Sequence, residues 1–227
     1  MSAVAPPSPR ASDSHRVLFA GVVIMAAAIL WFIGYRLHYL TDYSLESYSS
    51  YFWPRRFGLL AHVSGGIVAL AAGLVQIWLG LSERVGPLHR RLGKVYLTGV
   101  LLGVVGGFYL ALTIPGHLTY KLGLFMLCMA WLITTAMAWY SIRSQLYEQH
   151  REWMLRSFTV TFAFVTFRLA SYWLKNLVTV PDDPVADEID TLMSWACWAI
   201  PLLIAEPLIQ LRAIAHARAH ARARAVG

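Results

Sequence analysis

Charge is scarce in this chain. Only 14% of its 227 residues are Asp, Glu, Lys or Arg, while 58% are hydrophobic. Soluble domains carry about 25% charged residues, so a water-soluble globular fold is excluded on composition. Cysteine is nearly absent as well. Cys128 and Cys197 each sit inside an apolar run, which rules out a disulfide framework and metal-type spacing. Neither Gly-x-Ser-x-Gly nor His-Glu-x-x-His occurs, so two common hydrolase chemistries lack their residues. No repeat of solenoid length is present, and the chain leaves no room for a large soluble domain.

Long apolar runs are what the chain does have. A spanning helix needs about 20 mainly apolar residues, and six stretches qualify: Val17–Leu40, Phe57–Leu81, Val95–Ile114, Leu122–Ile142, Trp153–Leu174 and Thr191–Leu211. The first is too long for a signal-peptide core and reads as a retained span. The expectation is an all-α fold, a six-span transmembrane helical bundle. Its parts are a disordered cytoplasmic tail at 1–16, a six-helix membrane domain at 17–211 and a basic cytoplasmic tail at 212–227.

The net charge of +7 concerns lipid rather than nucleic acid, because the basic residues flank the apolar runs. With the N-terminus inside, the inner segments hold 13 Lys and Arg: Arg10, Arg16, Arg84, Arg90, Arg91, Lys94, Arg143, Arg151, Arg156, Arg212, Arg218, Arg222 and Arg224. The outer segments hold 5: Arg36, Arg55, Arg56, Lys121 and Lys175. Positive charge marks the cytoplasmic face, so the predicted orientation is N-in/C-in. A bacterial inner membrane is the default location.

Small residues organise the second and third runs. His62, Gly65, Ala69, Gly73, Gln76 and Gly80 form one stripe, and Gly99, Gly103 and Gly107 form two GxxxG steps. Such stripes let backbones approach in lipid and place these spans at the centre, although they would serve a homodimer equally well. In the sixth run, Pro201 and Pro207 flank Glu206 and predict a broken helix.

Ionisable groups inside a membrane call for an explanation. At roughly 1.5 Å per residue, two levels emerge. His62, Arg168, Tyr109, His38 and His117 form an outer layer. Glu206, Arg156, Gln76, His89, Arg90 and His150 form an inner one, in which Arg156 and Glu206 are the natural pair because either charge alone is costly. On the fifth span, Ser157, Thr161, Arg168 and Tyr172 share a face at helical period, giving Arg168 a polar stripe. The Arg168 fork suits a carboxylate or another small anionic ligand, and helix carbonyls equally well. His216 and His220, at i, i+4 in the basic tail, read as part of a charged tail.

Two segments carry a family resemblance: Leu88-His89-Arg90-Arg91-Leu92-Gly93-Lys94-Val95-Tyr96 and His150-Arg151-Glu152-Trp153-Met154-Leu155-Arg156-Ser157, with His62-x-x-Gly65 and Gly73-x-x-Gln76 beside them. Over roughly residues 57–175 the chain resembles the predicted membrane proteins called domain of unknown function 2306. That resemblance implies a membrane fold and no activity.

The histidine layout is also similar to the cytochrome b561 family, in which six helices hold two haems. This likeness implies haem b ligated by His62 with His117 outside and by His89 with His150 inside, propionates on Arg168 and Arg90, and transmembrane electron transfer. The competing class is a non-redox membrane protein that binds a small anionic or quinone-like molecule in the outer layer, or a transporter or scaffold subunit. The sequence alone assigns no enzyme activity.

Overall fold

The computed structural model describes residues 11–82, 84–178 and 185–226. These form α1 (Ala11–Arg36), α2 (His38–Thr41), α3 (Leu45–Phe52), a 3-10 turn (Trp53–Arg55), α4 (Arg56–Leu81), α5 (Pro87–Thr113), α6 (Leu118–Arg143), α7 (Tyr147–Thr161), α8 (Ala163–Val178) and α9 (Val185–Val226). The local signals that punctuate them are ordinary. Ser44 Oγ accepts from Ser47 N to cap α3. Pro87 opens α5, where its missing N–H costs nothing. Gly116 takes the positive φ of +139° that turns the chain from α5 into α6.

The protein is all-α, and five stretches are long and apolar enough to cross a membrane: Phe19–Arg36, Leu45–Gly80, Pro87–Thr113, Leu118–Arg143 and Val185–Ala215. The fifth expected span, Trp153–Leu174, is divided between α7 and α8. The predicted break in the last span is therefore corrected: α9 is one helix containing both Pro201 and Pro207, and the interruption falls at Phe162 instead. There the bonding tightens, with Val165 N donating to Phe162 O at 2.9 Å, an i to i+3 link of the 3-10 kind. Helix α1 already begins at Ala11, inside the stretch read as a tail, and residues 1–10 lie outside the described part. At the other end α9 carries the basic segment as a helical extension. The side chains of His216 and His220 are outside the described part.

The most extensive helix interface joins α4 to α5, and glycine makes it. A Cβ added at Gly65 would lie 2.6 Å from Gly99 O and 2.7 Å from Gly103 Cα. One added at Gly107 would lie 2.7 Å from Cys128 Sγ and 2.9 Å from His62 Nδ1. No side chain fits, so the two backbones touch over three helical turns. Gly106, outside the predicted stripe, is equally closed by Ala61 and the backbone of Gly58 and His62. Gly80, inside the stripe, meets nothing within 4 Å.

Around this pair the core holds Ile29 and Phe32 of α1, Leu70 of α4, Tyr96 and Val100 of α5, Trp131 of α6, Phe158 of α7 and Val165 of α8. Phe164 on α8 is its hub. Its ring lies 6.1 Å from that of Phe32, 4.7 Å from that of His62 and 5.2 Å from that of Trp131.

Candidate functional site

The predicted inner layer is closed on itself. Arg156 Nε and Nη2 each donate at 2.8 Å to the two carboxylate oxygens of Glu206, a bidentate fork that ties α7 to α9. Glu152 stands 3.6 Å from Arg156 Nη1, Gln210 Nε2 donates to Glu206 Oε1 at 2.8 Å, and the guanidinium lies 4.8 Å from the Trp153 ring centre. Every charge there has a partner.

Beside this pair, Gln76 is buried and its Nε2 donates to His89 O, joining α4 to the first turn of α5. His150 Nδ1 donates to Ala138 O at 2.8 Å. His89 faces the electrostatic field of His150, and its buried Nδ1 has no hydrogen-bond partner among the described residues. Arg90 is exposed and does not join the layer.

Between the layers runs a chain of buried hydroxyls that the sequence reading only half contained. Tyr96 OH lies 2.7 Å from Ser157 Oγ and 2.8 Å from Thr161 Oγ1. Thr135 Oγ1 lies 2.7 Å from Ser157 Oγ, and Trp131 Nε1 donates to Thr161 Oγ1 at 2.8 Å. Thr161 in turn donates to Ser157 O at 2.8 Å.

Donor counting fixes the sense of this chain. Indole can only donate, and a hydroxyl has one hydrogen. Thr161 spends its hydrogen on the Ser157 carbonyl, so Tyr96 must donate to Thr161. Ser157 then donates to Tyr96, and Thr135 to Ser157. The network locks α5, α6 and α7 together without leaving a polar atom unpaired in lipid.

The predicted outer layer is open. Arg168 is half-buried on α8. Its guanidinium lies 4.9 Å from the Phe167 ring centre and makes no hydrogen bond or ion pair among the described residues. Among the described residues, Lys175 and Asp190 pair at 2.7 Å on this side of the bundle.

The polar stripe expected to serve Arg168 does not reach it. Ser157 and Thr161 are consumed in the hydroxyl chain, and Tyr172 is exposed. The tightened turn at Phe162 offsets the helical phase between the two halves of the stripe. Ser171, three residues beyond Arg168 on the same helix face, carries a buried Oγ with no partner among the described residues.

The predicted outer histidines do not assemble. His62 Nδ1 donates to Gly103 O at 2.8 Å and its ring packs on Phe164. His117 is exposed at the start of α6 and lines a shallow opening with Asp187, Glu188, Thr191 and Trp195. The two imidazoles have different neighbours, because the glycine seam draws His62 against α5 while the Gly116 turn carries His117 toward α9. His38 turns back to Tyr35 O at 2.9 Å, and Tyr109 packs over Gly58 with much of its ring exposed. In their place the fold supplies Arg36, which the sequence reading counted only as a loop charge. Arg36 is buried at 9% exposure, its Nη1 reaches Tyr39 OH at 3.4 Å, and its charge opposes that of Arg168.

An all-α chain with several spanning helices and polar layers between them is a multi-pass integral membrane protein. Residues 59–209 match the family model described as "Predicted membrane protein (DUF2306)". The match covers more than half of the chain, so the protein belongs to the domain of unknown function 2306 family. Neither the curated proteins nor the solved structures contain a match. The likeness to cytochrome b561 gains no support from these comparisons.

Proposed function

We propose that this protein is a six-span, N-in/C-in bundle of a bacterial inner membrane that binds a small anionic ligand, or a quinone-like one with an acidic group, in its outer polar layer. One observation carries the reading: Arg168 is a half-buried cation on a membrane helix with neither an acid nor a carbonyl to hold it among the described residues. An intramembrane arginine without a partner is expensive, and a bound anion would remove that cost. Five stretches qualify as spans on their own. Counting α7 with α8 as a further crossing returns the chain to the side it started from and keeps most of the basic residues on one face.

Two measurements test this reading. Fluorescent-protein fusions at Met1 and after Gly227 should both report a cytoplasmic location. Opposite locations would leave an odd number of crossings and sink the topology. Arg168→Leu should abolish binding of anionic probes by the purified protein while its circular dichroism stays helical. Binding retained in that variant would remove Arg168 from the site.

A second reading, haem b at the inner layer, draws on His89 and His150. A buried Nδ1 without a partner and an imidazole fixed by a backbone carbonyl are what a histidine ligand pair needs. Bound there, haem would supply one-electron chemistry. The outer pair does not fit, since His62 and His117 face different surroundings. A visible spectrum with and without dithionite after haem-supplemented expression decides the matter: absence of a Soret band would end this reading.

A further inference from the structure

We infer that the anion of the outer layer is the phosphate of an acidic lipid, gripped from two sides by Arg36 and Arg168 and entering sideways between α1 and α8. The inference rests on the anion-binding reading above and adds the second arginine, the chemical class and the route.

The geometry starts from the Phe32–Phe164 contact between α1 and α8, with ring centres 6.1 Å apart. Arg36 and Arg168 each follow one of these residues by four positions. In the proposed topology both helices run outward, so one further turn carries the two guanidinium groups to the same level of the same helix pair. Their charges oppose each other, as noted above.

Two like charges placed together in a membrane, with no acid paired to either among the described residues, are held apart by the fold. An anion between them turns mutual repulsion into two attractions. Arg36 has one acceptor, Tyr39 OH at 3.4 Å from its Nη1, while Arg168 has none among the described residues. Arg168's charge acts on His62, whose Nδ1 is already engaged, and on Tyr120. The Tyr120 phenol has no hydrogen-bond partner among the described residues, and Ser171 Oγ is buried and orphaned on the face of Arg168. A phosphate, with several acceptor oxygens, matches a cluster of donors better than a neutral headgroup does.

The route follows from what flanks the pair. Helix α1 leaves most of its apolar surface outside the bundle, with only 17% of its spanning window buried. Leu30, Trp31 and Tyr35, which precede Arg36 on α1, and Tyr172, Trp173 and Leu177, which follow Arg168 on α8, are exposed. Trp31 and Tyr35 stack in parallel at 5.6 Å, and the Tyr172 and Trp173 rings meet edge-on at 5.8 Å. Such aromatic pairs belong at headgroup depth. Arg168 lies roughly 9 Å inward of Leu174 along the helix axis, a distance that a long arginine side chain largely recovers by reaching outward. Acyl chains can follow the exposed apolar faces while the phosphate meets both forks. A soluble anion has no apolar part to use those faces.

Thermal unfolding of the full chain in neutral maltoside micelles tests this. The probes are dioctanoyl phosphatidic acid, dioctanoyl phosphatidylcholine and inorganic phosphate. Phosphatidic acid should raise the Tm by roughly 5 °C or more at about a hundredfold excess over its Kd. The other two should raise it far less. Arg36→Gln and Arg168→Gln should each weaken phosphatidic acid binding about tenfold or more, with an unliganded Tm no lower than that of the wild type, because each relieves the repulsion.

An equal shift with inorganic phosphate would overturn the lipid assignment and leave the anion site standing. An equal shift with phosphatidylcholine would reduce the effect to general solvation by lipid and overturn it as well. No shift with any acidic probe would sink both readings together. If Arg36→Gln bound normally, or unfolded at lower temperature without ligand, Arg36 would be a structural residue and the two-sided grip would be wrong.

Discussion

The two polar layers of this protein contain the same kind of residue in opposite states. On the inner side, Arg156 is answered in full by Glu206, with Glu152 and Gln210 closing the network. On the outer side, Arg36 and Arg168 follow the touching Phe32 and Phe164 rings by one turn each, and neither has an acid partner among the described residues. An arginine that finds its carboxylate within the chain holds helices together. An arginine with no acid partner among the described residues is what the proposed anion site rests on. The two situations cannot be told apart from composition, since both put guanidinium groups into membrane helices.

The contrast can be broken most directly at the inner pair. Glu206→Gln leaves Arg156 with its longer contact to Glu152 as its ion pair and should destabilise the fold by about 2 kcal/mol, less than for a fully buried pair because the Glu206 side chain is 44% exposed, read by equilibrium unfolding in mixed micelles. Replacing both partners by Met should recover most of that loss. If Glu206→Gln were silent, the inner pair would not be the clamp described here.

Tyr96→Phe tests the hydroxyl chain between the layers. It leaves Ser157 without its acceptor and Thr161 without one donor, and should lose about 2 kcal/mol in the same measurement. Gln76→Leu removes one link between α4 and α5 and should lose about 1 kcal/mol. Arg168→Leu should change stability least, by no more than about 0.5 kcal/mol and in the stabilising direction. A loss as large as that of Glu206→Gln would erase the difference between the layers.

Much of this was legible in the sequence, for identifiable reasons. Apolar runs of spanning length have few alternative readings, so five of the six expected runs fall on helices long and apolar enough to cross a membrane. Depth counted along the runs placed Arg156 level with Glu206, and the two side chains meet. The His62 to Gln76 stripe announced the α4–α5 seam because small residues at helical spacing have one dominant use in lipid.

What was not legible depended on three helices at once. Trp131 and Thr135 sit in an apolar run and look like lining until Tyr96 and Thr161 are brought to them. The interruption at Phe162 has no proline or glycine to mark it. Arg36 stands at the very end of the first run, where an arginine normally reads as an interfacial charge. Only the packing of Phe32 against Phe164 turns it inward. Spacing along the chain also could not show that His62 would turn to Gly103 O and Phe164 while His117 lies exposed beside Asp187 and Glu188.

The glycine seam between α4 and α5 also bears on the order in which the protein assembles. Where backbone meets backbone, there are no rotamers to freeze, so joining these helices sacrifices almost no side-chain entropy along that stretch. Their connection is short, from Leu81 to Pro87, so the two segments are never far apart once both are in the bilayer. This hairpin is therefore the part of the chain best able to form first and alone. The remaining helices, whose contacts depend on large side chains such as Trp131, Phe158 and Phe164, then settle on a template that already exists.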